Sequence, residues 1–139
     1  MFVEGTAGSP PCADACFYGE NLQGVKTAPV KLKVSNRVVY SPHTYGPNVF
    51  NQPYFSDASF PKNMPKIWDD HFGFIRGRNQ EATVVGEWGG SLAGKNGVWM
   101  NAFVDYLIAR DITDNFFWCV NPNSGDTGGL LENDWITPD

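Results

Sequence analysis

The sequence predicts an α/β fold in which parallel strands alternate with helices. Four apolar runs typical of strands recur at long intervals: MFVEG, RVVYS, ATVVGE and NFFWCV. The runs are nearly continuous in apolar residues, as expected of strands that are covered on both faces of a parallel sheet. Helical spacing appears between the second and third runs and again between the third and fourth. The predicted order is strand, loop, strand, helix, strand, helix, strand, in one α/β unit.

Each element has its own local signal. Asn63 suits an N-cap and Pro65 suits the first turn of a helix that should end near Gly77, and this helix carries apolar residues at helical spacing: Ile67, Trp68, Phe72 and Ile75. A second helix is predicted from about Gly97, with one apolar face: Trp99, Ala102, Phe103, Tyr106 and Leu107. The first interval, ENLQGVKTAPVKLKVSN, contains no convincing helix.

Length and charge restrict the class of protein. The chain has 139 residues, of which 42% are hydrophobic and 14% aromatic, enough for one modest core. Its net charge of -5 argues against nucleic acid or an anionic membrane as a partner, because both attract basic patches. No apolar run approaches the roughly 18 residues of a membrane span. The N-terminal MFVEGTAG lacks the basic and apolar regions of a signal peptide.

The cysteines leave the redox compartment open. Cys12, Cys16 and Cys119 are an odd number, and the C-x3-C spacing without a nearby His is a poor zinc signature. A local disulfide between Cys12 and Cys16 and two unpaired thiols are equally compatible with this spacing. We expect neither a metal nor an organic cofactor, because no ligand cluster suggests one.

Polar and aromatic residues follow three predicted strands at the same place, just beyond the carboxyl end. They are His43, Tyr45, Glu87, Trp118, Asn121 and Asp126. Parallel strands direct their carboxyl ends to one face, where α/β folds hold their sites. A single His or Trp at a strand end is usually structural, but residues delivered there by three strands predict a functional site.

Glu87 is the most informative of these residues. It directly follows an apolar strand and is surrounded by Gly86, Trp88 and Gly89. A buried carboxylate without a partner costs on the order of several kcal/mol. Either Glu87 has a structural ion-pair partner, for which Arg37 and Arg76 are candidates, or its position serves chemistry.

Several motifs resemble the second half of glycoside hydrolase family 5 cellulases, in the order of that family. They are FVEG, NRVVYSPHTYG, FPKNMPKIWDDHFGFI, VVGEWGG and FFWCVNPNSGDTGGLLENDW, and together they cover nearly the whole chain. The family folds as a (β/α)8 TIM barrel of retaining β-glycanases. The resemblance implies that the four runs are strands five to eight of such a barrel, with intervening helices, and that residues 1–139 are the C-terminal half of a catalytic domain.

The resemblance also implies a role for each matching residue. Glu87 matches the catalytic nucleophile that forms the glycosyl-enzyme intermediate. His43 and Tyr45 match substrate-binding residues that contact the nucleophile or the sugar, and Trp118 matches an indole platform for a sugar ring. Asn121 and Asp126 could shape the cleft, although a role in loop structure is the stronger interpretation. The implied partner is a β-glucan polysaccharide or oligosaccharide, and a polymeric substrate implies a secreted protein.

Part of the family pattern is absent from this sequence. The family carries its acid/base glutamate after strand four in an Asn-Glu-Pro context, and no Asn-Glu-Pro occurs here. A complete barrel takes about 250 residues. We therefore expect the chain to be an internal fragment of a longer endo-1,4-β-glucanase and to be inactive alone.

Two other functions are alternatives to hydrolysis. A carbohydrate-binding module could use Trp88, Trp118 and Tyr45 as stacking platforms without catalysis, and a degenerate barrel relic would have no function at these positions. Binding modules are usually β-sandwiches, so the predicted helices count against the first. The joint placement of Glu87, His43 and Tyr45 counts against the second.

Overall fold

A computed structural model describes residues 1–8, 15–79 and 81–139. Within these ranges the chain forms short strands at each of the four predicted runs, and the third run is divided in two. The strands are β1 (Phe2–Val3), β2 (Val39–Tyr40), β3 (Ala82–Thr83), β4 (Val85–Trp88) and β5 (Asn115–Phe117). The prediction of strands at these places is confirmed.

In the described part of the chain, each pair formed by the five strands is parallel. β2 lies between β1 and β3, with Val39 opposite Phe2 and Ala82. β4 pairs with β5, and a parallel bridge between His43 and Glu87 extends the pairing from β2 to β4. The strands therefore follow one another in space in their chain order, with β3 and β4 as two parts of one run. Parallel strands in this order require crossover segments, which helices provide between β2 and β3 and between β4 and β5.

The first helical segment is longer than the sequence predicts. It consists of α1 (Met64–Trp68), a π-helical stretch (Asp69–Gly73) and α2 (Phe74–Asn79). Asn63 occupies the predicted N-cap position, but its side chain makes no capping hydrogen bond and instead donates from Nδ2 to the Tyr54 carbonyl at 2.9 Å. The interval between β1 and β2 holds a short 3-10 turn (Gln23–Lys26), in agreement with the absence of a predicted helix there.

The second helix, α3 (Gly94–Ala109), begins three residues before the predicted start. Its predicted apolar face is confirmed, because Trp99, Phe103, Tyr106 and Leu107 are all buried. The Trp99 and Phe103 rings stack at 5.2 Å, and Trp68 of α1 packs edge-on against both. These aromatic contacts form the centre of the hydrophobic core and hold both helices against the strands.

The two outermost strands expose apolar side chains. Phe2 of β1 and Phe116 of β5 are each 60% exposed, and Val120 just beyond β5 is exposed to the same extent. Such residues are normally covered on both faces of a parallel sheet. Among the described residues, the helices are all too short or too polar to cross a membrane.

Candidate active site

Three of the predicted site residues, His43, Tyr45 and Glu87, meet at the carboxyl ends of β2 and β4, and Trp118 follows β5, the strand that pairs with β4. The backbone brings the first two of these strands together, since the Thr44 amide donates to the Glu87 carbonyl at 3.0 Å and the Gly86 amide donates to the Pro42 carbonyl at 2.9 Å. His43 and Glu87 lie side by side in the parallel bridge. The carboxylate, the imidazole and the Tyr45 phenol therefore share one face of the sheet.

Tyr45 holds the Glu87 carboxylate. Its hydroxyl donates to Glu87 Oε2 at 2.6 Å, a short distance typical of a hydrogen bond to a charged acceptor. Burial, then the hydrogen bond and the negative charge of Glu87, raise the pKa of the Tyr45 hydroxyl above its ordinary value. Because a raised pKa favours the neutral phenol, Tyr45 keeps its proton at neutral pH and remains a donor.

His43 lies between two carboxylates. Its Nδ1 is 3.6 Å from Glu87 Oε2, and its Nε2 is 3.8 Å from Glu4 Oε1. The Glu4 side chain is exposed, whereas that of His43 is only 14% exposed. The imidazole therefore lies below the surface and contacts Glu87 from the side of β1.

The contacts of Glu87 leave one of its oxygens open. Tyr45 and His43 both approach Oε2, and within the described ranges Oε1 accepts no hydrogen bond. The side chain is 34% exposed. A partly exposed carboxylate that is oriented through one oxygen, with no hydrogen bond to the other, has the geometry of a nucleophile or a base.

Among the described side chains, no arginine forms an ion pair with Glu87. Arg76 instead binds Asp111, with Nη2 2.7 Å from Oδ2, and Arg37 donates from Nη1 to the carbonyl of Asn36. The suggested structural partners are therefore wrong, because both guanidinium groups are engaged elsewhere on the surface.

Two glycines beside Glu87 are required by close packing. A Cβ at Gly86 would lie 2.3 Å from Ser41 Oγ and 2.5 Å from His43 Nε2. A Cβ at Gly89 would lie 1.9 Å from the Trp118 carbonyl oxygen. These positions therefore allow His43 and Trp118 to approach the strand that carries Glu87.

The two tryptophans of the region have different environments. Trp118 follows β5, is 42% exposed, and is fixed by its amide, which donates to the Trp88 carbonyl at 2.8 Å. Trp88 points into the core, packs against Phe103 and Phe117, and donates from Nε1 to Asn115 Oδ1 at 2.8 Å. The suggestion that Trp88 is a stacking platform is therefore wrong, because strand alternation places it on the buried side.

The loop after β5 is held by its own side chains. Asn121 Nδ2 donates to Asn123 Oδ1, and Ser124 Oγ donates to Asp126 Oδ1 at 3.2 Å. Trp118 Nε1 donates to Ser124 Oγ at 3.4 Å, which connects the indole to this loop. The observed contacts of Asn121 and Asp126 thus support the expected role in loop structure.

Sequence analysis missed one charged residue next to the site. Glu20 is fully buried, and its carboxylate accepts hydrogen bonds from the Phe17 amide at 2.8 Å and from Thr44 Oγ1 at 2.9 Å. It lies in the segment FYGENLQG, which has no apolar periodicity from which burial could be predicted. The Gly-Glu-Asn sequence indicates a turn, and turns are normally exposed.

Glu20 belongs to a cluster that resembles a metal site in composition alone. Its carboxylate, Cys16 and His71 have ligand atoms within 4.8 Å of one another. Cys16 is disulfide-bonded, however, and a disulfide sulfur is not the thiolate that binds metals. Cys12 lies outside the described residues, and Cys119 is a free, buried cysteine.

Comparison with known proteins identifies the family. The sequence pattern of the cellulases (glycosyl hydrolase family 5) matches residues 1–124. The chain belongs to glycosyl hydrolase family 5. It is 51% identical over 124 residues to an endoglucanase of Paenibacillus polymyxa and 44% identical over 140 residues to the major extracellular endoglucanase of Xanthomonas campestris pv. campestris. These matches cover 87% and 97% of the chain.

Solved structures of the family have the same fold. The catalytic domain of the Xanthomonas campestris endoglucanase superposes with a TM-score of 0.90 at 42% identity, over 99% of this chain. A cellotetraose complex of an endocellulase variant from Pyrococcus horikoshii superposes with a TM-score of 0.88 at 41% identity. These endocellulases are TIM barrels, so the family 5 chain described here is a partial α/β barrel.

The chain is much shorter than its relatives. It spans 31% and 28% of the length of the two curated endoglucanases, and 40% and 39% of the two solved chains. The identified relatives therefore contain a large part of the barrel in addition to the segment that matches this chain.

Proposed function

We propose that residues 1–139 are the C-terminal half of the catalytic domain of a retaining endo-1,4-β-glucanase. In this assignment β1, β2, the β3–β4 run and β5 are barrel strands five to eight. Their parallel pairing in chain order supports it. The endoglucanase names of the relatives, and the cellotetraose bound to one solved endocellulase, support a β-glucan substrate.

The observation that carries the proposal is the 2.6 Å hydrogen bond from Tyr45 to Glu87, at the carboxyl ends of parallel strands. Glu87 is the nucleophile. Its open Oε1 attacks the anomeric carbon, the C1–O glycosidic bond breaks, and a proton from an acid completes the leaving alcohol. Water then attacks the glycosyl ester and regenerates the carboxylate, with retention of configuration at the anomeric carbon.

Tyr45 and His43 orient the Glu87 carboxylate for its attack on the anomeric carbon. The Tyr45 hydrogen bond holds Oε2, so Oε1 has a defined direction. His43 Nδ1 lies 3.6 Å from the same oxygen, and the imidazole is enclosed between Gly19 and Gly86, where added Cβ atoms would approach it to 2.8 Å and 2.5 Å. Precise orientation of reacting groups is a large part of enzymatic rate enhancement.

The acid/base carboxyl group belongs to another part of the complete enzyme. A retaining site needs a second carboxyl group about 5–5.5 Å from the nucleophile. The family motif that carries it, Asn-Glu-Pro, does not occur in this sequence. The isolated chain is therefore inactive, and the complete enzyme acts outside the cell, as the name of the Xanthomonas relative indicates for that protein.

The test uses a completed barrel in which this chain replaces the matching segment of the Paenibacillus polymyxa endoglucanase. The probe is a 2-deoxy-2-fluoro-β-cellobioside with a dinitrophenolate leaving group. Attack by Glu87 forms a C1–O ester and expels the phenolate, while fluorine slows the hydrolysis of the ester. We expect mass spectrometry to find one cellobiosyl label per enzyme, on the peptide that contains Glu87.

The outcome distinguishes the possible mechanisms. A label on another carboxylate would overturn the assignment of Glu87. Rapid release of an inverted α-product without labelling would overturn the retaining mechanism. Protection from labelling by cellotetraose is the control that places the reaction in the substrate cleft.

Trp118 is proposed as a sugar platform. Replacement by Ala in the completed enzyme should weaken cellotetraose binding by about 1–3 kcal/mol, since stacking of a ring on an aromatic face contributes on this order. Calorimetric titration measures this loss. The matched control is Trp88→Ala, which should mainly lower the thermal midpoint because Trp88 is buried. Unchanged affinity together with a large stability loss for Trp118→Ala would assign Trp118 to the core instead.

A further inference from the structure

A buried carboxylate lies directly behind the segment that carries His43 and Tyr45, and the reaction above does not use it. Glu20 is 0% exposed. Its Oε2 accepts the Phe17 amide hydrogen bond at 2.8 Å, and its Oε1 accepts from Thr44 Oγ1 at 2.9 Å. The same Oε1 is 3.3 Å from Nδ1 of the buried His71. Each oxygen of this carboxylate is therefore engaged.

Thr44 connects Glu20 to the site through two hydrogen bonds, one from its side chain and one from its backbone. Its hydroxyl binds the Glu20 carboxylate, and its amide donates to the Glu87 carbonyl at 3.0 Å. Thr44 is 1% exposed and stands in the chain between His43 and Tyr45. A second hydrogen bond is donated by the His43 amide to the Gly19 carbonyl at 3.3 Å. The turn containing Glu20 thus holds the backbone of the segment, while Tyr45 holds the Glu87 side chain.

The energetics argue that this arrangement has a use beyond packing. A buried ion pair or carboxylate often contributes less to stability than well-packed apolar residues would, because desolvation offsets its attraction. A buried carboxylate that accepts a hydrogen bond at each oxygen does, however, favour one arrangement of the segments that it joins. Here the joined segments are the turn around Glu20, the His43–Tyr45 segment and, through His71, the helical layer.

We propose that Glu20, acting through Thr44, is a positioning residue that sets the register of His43 and Tyr45 against Glu87. This inference rests on the proposed function, since it assigns Glu20 and Thr44 to the same reaction. Neither residue touches the substrate in this assignment. Their effect is on the rate of attack by Glu87, because small displacements of reacting groups have large effects on rate.

The test measures how fast Glu87 is labelled by the fluorocellobioside in the completed barrel. Thr44→Val removes the hydroxyl and keeps the shape, and Thr44→Ser restores the hydroxyl. The matched control is Thr83→Val, which removes another buried hydroxyl, one whose observed contact is the Glu81 carbonyl at 3.5 Å. Rates are compared at a temperature well below the unfolding midpoint of every variant, and cellotetraose affinity is measured in parallel.

We expect Thr44→Val to lower the labelling rate constant on the order of tenfold or more, with little change in cellotetraose affinity. Thr44→Ser should recover most of the rate, and Thr83→Val should retain it. Glu20→Gln should lower the labelling rate constant to an extent similar to Thr44→Val. If the Glu20→Gln protein does not fold, the comparison of the Thr44 variants with Thr83→Val tests the inference.

Equal labelling rates for Thr44→Val and Thr83→Val would overturn the positioning role, even if both variants are destabilised. That result is separate from failure of the proposed function, which would be seen as absence of a Glu87 label in the unmodified completed barrel. A rate loss that Thr44→Ser does not recover would also contradict the inference, since it would show that the hydroxyl is not the group responsible.

Discussion

Replacement of Glu87 by Gln in the completed barrel is expected to reduce kcat on soluble β-1,4-glucan by at least about a thousandfold, or about 4 kcal/mol in activation free energy. The amide keeps the shape of the side chain and can still accept the Tyr45 hydrogen bond, but it cannot form the glycosyl ester. The thermal midpoint should change little. Steady-state hydrolysis and thermal unfolding measure the two effects on the same sample.

The control for this substitution is Glu81→Gln. Glu81 directly precedes β3, at the opposite end of the β3–β4 run from Glu87, and the variant should retain near-normal activity. A second check uses Glu87→Ala with azide and an activated cellobioside, where azide should enter the space of the lost carboxylate and yield an α-glycosyl azide. Activity of Glu87→Gln within about tenfold of the parent, together with reduced stability, would show that Glu87 is a structural residue.

The isolated chain of residues 1–139 is expected to hydrolyse no carboxymethyl-cellulose and to self-associate. The acid/base motif of the family is absent from its sequence, so no group of that motif protonates the leaving sugar. Phe2 and Phe116 on the outermost strands are each 60% exposed, and exposed apolar edges favour pairing with further chains. Reducing-sugar release and sedimentation velocity measure the two effects.

The completed barrel is the matched control, since it contains the same residues with the remaining strands supplied. It should sediment as one species and hydrolyse the polymer. A monodisperse isolated chain that hydrolyses carboxymethyl-cellulose would contradict both halves of the prediction. It would also indicate that another carboxylate in this chain, Glu4 or Asp126, donates the proton.

The strands and the helix faces could be predicted from the sequence because their signals are local. Apolar runs of Val, Phe and Tyr fit a sheet covered on both faces, and the fourfold spacing of Trp99, Phe103 and Leu107 places them on one side of α3. The meeting of His43, Tyr45 and Glu87 followed from one topological rule, that the carboxyl ends of parallel strands share a face.

Only the tertiary structure decided which polar groups are partners. Arg76 is near enough in sequence to be a candidate for Glu87, yet it binds Asp111, 35 residues away. Trp88 and Trp118 both flank the site in sequence, but strand alternation turns Trp88 into the core, whereas Trp118, just beyond the end of β5, is 42% exposed. Distance along the chain does not determine such pairings.

Glu20 shows most clearly why the partners of polar groups could not be predicted from the sequence. Periodic patterns record which side of an element is apolar, and a single carboxylate in a turn contributes nothing to such a pattern. Its burial is possible because Phe17, Thr44 and His71 surround it with polar groups from three separate parts of the chain. The sequence by itself determined the parallel layout and the face on which Glu87 lies. The folded chain decided which polar groups contact Glu87 and Glu20, because those contacts exist only once the distant segments have packed together.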